Sequence, residues 1–122
     1  MKQPTDFKYM GIPNLCFSLT DEDDHREPEY IKQRIKYGFD DSETWSLRDS
    51  IANFIIPRLK RYKEIIKQSY TNDDEYMTNI DEVLNAFQIV IDNPSYLTDE
   101  KQITEYEKGM KTFSEIFMGL WW

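Results

Sequence analysis

Few side chains in this 122-residue sequence are suited to chemistry, and their settings decide what each can do. The one histidine, His25, lies in Asp21-Glu22-Asp23-Asp24-His25-Arg26-Glu27, an entirely polar stretch that suits a solvated loop better than a ligand or general base. Asp21 and Asp23 have the spacing of the first ligands of a calcium loop. Arg26, however, stands where that loop needs glycine for its sharp turn, and Lys32 stands where the bidentate glutamate belongs. The one cysteine, Cys16, sits between Leu15 and Phe17, so it reads as a buried, inert thiol with no partner for a disulfide or a thiolate metal cluster. Gly11, Gly38, Gly109 and Gly119 stand singly, and no glycine-rich loop cradles a phosphate. Glu105 with Glu107, and Asp81 with Glu82, point in different directions on a helix and form no acid/base couple. These residues predict a protein that binds rather than catalyses and that needs neither cofactor nor metal.

Three groupings are candidates for binding. The basic run Arg58, Lys60, Arg61, Lys63 and Lys67, with Tyr62 among them, could cradle phosphates if its members shared a face. Arg58, Lys60 and Arg61 instead spread around more than half of a helix, and a net charge of −8 repels a polyanion and an anionic membrane alike. That charge is unevenly placed: residues 1–28 carry three basic and six acidic groups, 29–67 nine and six, and 68–122 three and eleven. The halves either attract each other in the fold or meet different partners. Carboxylates spaced along helices, with Asp81, Glu82, Glu105 and Glu107 as candidates, could imitate a phosphate backbone and occupy the nucleic-acid site of another protein; the plainer role is a solvated surface. The third grouping is Trp121-Trp122. These either close a core by continuing the stripe of Phe113, Phe117 and Leu120, or stand exposed as an interface anchor.

The elements that position these groups are helical. Composition, with 39% apolar, 31% charged and 15% aromatic residues, is that of a polar globular domain with one core. Pro4, Gly11, Pro13 and Pro28 break residues 1–28 into an irregular arm, expected to pack through residues such as Leu15, Phe17 and Leu19, and residues 29–122 form a single helical domain. A first helix runs over Glu29–Tyr37, with Pro28 in its first turn and Gly38 as its stop. The second starts at one of two caps, Asp40 with Glu43 or Ser46 with Asp49, and carries the stripe Leu47, Ile51, Phe54, Ile55, Leu59, Tyr62 and Ile66. Pro57 lies within it and should kink or split it, at a cost of about 3 kcal/mol. A third covers 74–92, burying Tyr76, Met77, Ile80, Val83, Leu84, Phe87 and Ile91. The fourth follows Thr98 as N-cap, with Ile103, Tyr106, Met110, Phe113, Phe117 and Leu120 in its stripe. The expected fold is all-α, a small antiparallel bundle of about four helices behind an irregular N-terminal arm. No apolar run approaches the roughly 20 residues of a membrane span, and Met1-Lys2-Gln3-Pro4-Thr5-Asp6 has no hydrophobic signal core, so a cytoplasmic protein is expected.

The run from Tyr37 to Leu47, with its Trp45-Ser46-Leu47, followed by Ile51-Ala52-Asn53-Phe54-Ile55-Ile56-Pro57-Arg58-Leu59-Lys60, resembles a group of small tailed-bacteriophage proteins. Gly109-Met110-Lys111-Thr112-Phe113 and Phe117-Met118-Gly119-Leu120-Trp121 are similar to the ending of that group. The resemblance covers about two thirds of the chain, and Arg48 departs from it, because an acidic residue commonly follows that leucine. It implies viral origin and production in a bacterial cytoplasm, and brings no activity with it. Together with the charge, it leads to a non-enzymatic binding protein that modulates or inhibits a bacterial host protein, for instance a defence nuclease in the anti-CRISPR manner. The alternatives are a virion or genome-packaging accessory protein, and nucleic-acid binding through residues 58–67.

Overall fold

Four α-helices follow one another in the computed structural model, which describes residues 17–69 and 73–122: α1 (Glu27–Tyr37), α2 (Leu47–Ser69), α3 (Asp74–Asp92) and α4 (Glu100–Ile116). The protein is an all-α helical bundle, with no strand among the described residues and no helix there long and apolar enough to cross a membrane. Cys16 and most of the expected arm lie outside the described residues. Contacts divide the chain into two compact units, Met1–Ile51 and Ala52–Trp122, with the division inside α2.

In the first unit, Pro28 occupies the first turn of α1 and the helix stops at Gly38, whose φ of 84° lets its N–H reach the Arg34 carbonyl at 2.8 Å. The two candidate caps that precede the second helix differ in what they do. Asp40 and Glu43 form a capping box around a 3-10 turn, Asp41–Thr44, while Ser46 donates to Asp49 Oδ2 at 2.6 Å where α2 begins. Between these elements lies a buried polar network. The Arg34 guanidinium, fully buried, pairs with Glu27 and, at 2.5 Å, with Asp40. Asp40 also accepts from the N–H and hydroxyl of Ser42, at 2.8 and 2.5 Å. The described part of the segment before α1 is tied to the same network: Phe17 is buried, its N–H donates to Glu43 Oε1 at 2.8 Å, and the Leu19 N–H donates to Ser42 Oγ at 2.9 Å.

In the second unit α2 passes through Pro57 without being split. Asp73 caps α3, accepting from the N–H groups of Glu75 and Tyr76 at 3.0 and 3.2 Å. The cap of α4 is Asp99, accepting from the Gln102 N–H at 2.9 Å, rather than Thr98 one residue earlier; its charged carboxylate complements the positive helix end better than a hydroxyl does. Tyr62 and Lys63 of α2 meet Tyr76 and Asp81 of α3, and α3 and α4 run antiparallel, Glu82 and Asn85 meeting Thr112 and Glu105. Ala52, Leu59 and Ile66 of α2 and Ile80, Val83 and Phe87 of α3 form the core, against which Met110, Phe113 and Ile116 of α4 pack. The Phe87 and Phe113 rings meet edge to face at 5.4 Å, which adds about 0.5–1.5 kcal/mol to their burial. Gly109 allows this closeness, since a Cβ there would lie 2.4 Å from Ala86 Cβ and 2.5 Å from the Glu82 carbonyl oxygen.

The expected stripe of α2 is buried only in part. Leu59 and Ile66 are core residues, whereas Leu47, Ile51 and Phe54 are exposed and Ala52 takes the buried position. A stripe shows which residues are apolar; what covers it is decided by neighbouring elements, and the helical core of the second unit begins at Ala52.

Candidate binding site

The carboxylates singled out in the sequence do not form one free face. Asp81 accepts from Lys63 Nζ of α2 at 2.6 Å. Glu82, one residue on, faces α4, where it accepts from the Thr112 hydroxyl at 2.9 Å and pairs with Lys108 at 3.3 Å. These partners hold its carboxyl below the usual carboxylate range, the Thr112 hydrogen bond first and Lys108 next. Glu105 accepts from Asn85 at 3.3 Å, and Glu107 is exposed on α4. Three of the four therefore join helices, and the wider acidic surface lies elsewhere: of the eleven carboxylates over residues 73–122 all but Glu82 and Glu105 are exposed, against three lysines.

The basic run divides as its spacing predicts. Lys60, Lys63 and Lys67 line a shallow groove of about 330 Å³, but Glu64, Asp81 and Leu84 line it too and Lys63 is paired. Arg61 pairs with Glu64 at 2.9 Å, and the Arg58 guanidinium lies 4.1 Å from the centre of the Phe54 ring while donating to the Phe54 carbonyl. The arrangement lacks the concentrated positive charge that a phosphate backbone needs. His25 is a solvated side chain, 3.8 Å from Asp24.

A larger concavity lies beside the last two residues. Trp121 and Trp122 are 75% and 63% exposed, so they do not close the core. The fourth stripe fails here because α4 ends at Ile116 and a 3-10 turn, Phe117–Gly119, redirects the chain. Together with Tyr62, Ile66, Tyr76, Glu115, Ile116 and Gly119 the two tryptophans line a cavity of about 540 Å³, within the usual range for ligand-sized sites. Tyr62 and Tyr76 hydroxyls lie 2.9 Å apart, and Tyr62 also reaches the carbonyls of Gly119 and Trp121 at 3.5 and 3.4 Å. With the Tyr76 proton donated to Tyr62, the Tyr62 proton is left for those carbonyls, and the chain end is held against α2. Burial, and then this hydrogen bond to Tyr62, raises the Tyr76 pKa above its ordinary value. Tyr62 and Tyr76 were visible in the sequence only as stripe residues, and Glu115 not at all, because contacts 14 to 59 residues apart bring the site together.

No family model, curated protein or solved structure matches the chain.

Proposed function

We propose that the chain acts by binding rather than by catalysis, as a phage-type protein that modulates or inhibits a bacterial protein with a basic, nucleic-acid-handling surface, a defence nuclease being the foremost class of target. The observation that supports this reading is the surface of residues 73–122, where nine exposed carboxylates face three lysines. Such a field attracts a basic protein and repels nucleic acid itself. Asp81, Glu82 and Glu105 serve the fold, so recognition falls to carboxylates outside the helix junctions, such as Glu75 and Glu107.

The test is affinity capture from bacterial lysate with the tagged protein, with and without nuclease, read by mass spectrometry, beside a variant carrying Glu75→Lys and Glu107→Lys. One bacterial protein enriched despite nuclease, and lost from the charge-reversed bait, is the expected result. Enrichment that disappears with nuclease would instead indicate nucleic-acid binding. Recovery of the bait alone, or of phage structural proteins alone from infected cells, would reject the reading and favour the accessory role.

A further inference from the structure

We infer that the cavity at the chain end is a receptor for a guanidinium or ammonium group on an apolar stem: an arginine or lysine side chain that a basic partner protein inserts between Trp121, Trp122, Tyr62 and Tyr76. The inference rests on the reading of the chain as a binder of basic proteins, and names the group by which the partner is held.

Three observations carry it. Among the described residues the lining is aromatic and aliphatic except for Glu115, so the cavity offers a carboxylate and four electron-rich rings together with apolar walls. Cations are attracted to the faces of tryptophan and tyrosine rings, and arginine is the commonest partner. An anion would meet the Glu115 charge and, among the described lining residues, no basic one. The site is also built before any partner arrives, since the Tyr62 hydrogen bonds to Tyr76 and to the carbonyls of Gly119 and Trp121 hold three of its walls together. Preformed walls spare the partner the entropy cost of ordering them. Finally, the field around the cavity has the matching sign: residues 73–122 carry eleven acidic and three basic groups. The same charge opposes the other occupant that exposed tryptophans suggest, a second copy of this chain, because two molecules of net charge −8 repel. A volume of about 540 Å³ exceeds what one side chain fills, which leaves room for an apolar neighbour beside the cation.

The experiment uses the full chain with Trp45→Phe, so that only Trp121 and Trp122 emit, titrated with the acetylated, amidated tripeptide leucine-arginine-leucine and with its lysine, citrulline and glutamate counterparts. The expected result is saturable change with the arginine and lysine peptides and about tenfold weaker binding of the uncharged citrulline peptide. Glu115→Gln, with an unchanged circular dichroism spectrum, should bring the arginine peptide down to the level of citrulline, and Trp121→Ala should weaken both. Equal affinity for arginine and citrulline, or no saturable response at millimolar peptide, would overturn the inference. So would a dimer, seen by light scattering, that Trp121→Ala dissolves. The two readings fail separately. A Glu115→Gln bait that captures the same bacterial protein as the wild type, with peptide selectivity absent, removes only the cavity's role. Selective peptide binding with no bacterial protein captured leaves the cavity standing and removes the proposed target.

Discussion

Arg34 shows how much a single residue can hold in place. Its guanidinium stands between the carboxylates of Glu27 and Asp40, all three buried, and removing a single partner from such a set leaves uncompensated charge in a medium that solvates it poorly. Arg34→Met is expected to destabilise the first unit by about 3–5 kcal/mol. Urea unfolding followed at Trp45, with Trp121 and Trp122 changed to phenylalanine, measures this; a loss below about 1 kcal/mol would show that the ion pairs contribute little. Glu43 supports a second prediction. Burial pushes its carboxyl above the ordinary value, against the pull of the Phe17 and Asp40 N–H groups, and the charge of Asp40 pushes the same way as burial. The folded protein then keeps this proton at pH values where the unfolded chain has released it. Stability therefore falls as pH rises from the ordinary carboxylate value through the raised one. Glu43→Gln should abolish that fall above the ordinary carboxylate value. Its amide also turns a donor toward an N–H, at a cost of about 1–3 kcal/mol. An unchanged pH slope in this variant would assign the proton to another group.

At the scale of elements, two glycines test whether helix propensity or packing decides. Alanine in place of helical glycine normally gains about 1 kcal/mol. At Gly109 the new methyl group would meet the Glu82 carbonyl oxygen and Ala86 Cβ at 2.5 and 2.4 Å, and the backbone of α3 cannot rotate out of the way. Separating α3 from α4 loosens the Phe87–Phe113 contact, so Gly109→Ala is expected to be net destabilising by about 1–3 kcal/mol. Gly38→Ala meets open space, and its cost of about 1–2 kcal/mol comes only from the positive φ. Thermal unfolding of both variants decides the matter, and a stabilised Gly109→Ala would mean that the helices yield freely. These positions also mark what was legible beforehand. The third helix was placed from 74 to 92 because its charged start, its apolar stripe and Pro94 all agree. Capping was legible as a choice between Asp40 and Ser46, and the structure forms the box at Asp40, around a 3-10 turn. The Arg34 network was not, because Asp40 lies beyond the end of α1 and no local pattern distinguishes a buried arginine from a solvated one. The cavity was half legible: terminal tryptophans stand out in any sequence, whereas their proximity to Tyr62, Tyr76 and Glu115 depends on where α4 ends.

For the whole molecule the governing quantity is charge, and it sets how a partner would be met. A net charge of −8, eleven of its 23 carboxylates lying in residues 73–122, produces a field that reaches beyond any single contact. Screening shortens that reach from about 14 Å at low salt to about 4 Å at high salt, since the Debye length falls with the square root of ionic strength. Long-range attraction acts mainly on encounter, whereas side chains seated in a pocket act mainly on escape. With the bacterial protein recovered by affinity capture, raising salt from about 50 to about 500 mM should therefore slow association at least roughly tenfold and change dissociation little. Stopped-flow or surface-based kinetics separate the two rates. Glu75→Lys with Glu107→Lys should flatten the salt dependence of association, and Trp121→Ala should speed dissociation at every salt concentration. An association rate indifferent to salt would place recognition on apolar contacts alone and remove the acidic surface from the mechanism. If both variants altered the same rate, the field and the cavity would be one contact rather than a guide and an anchor.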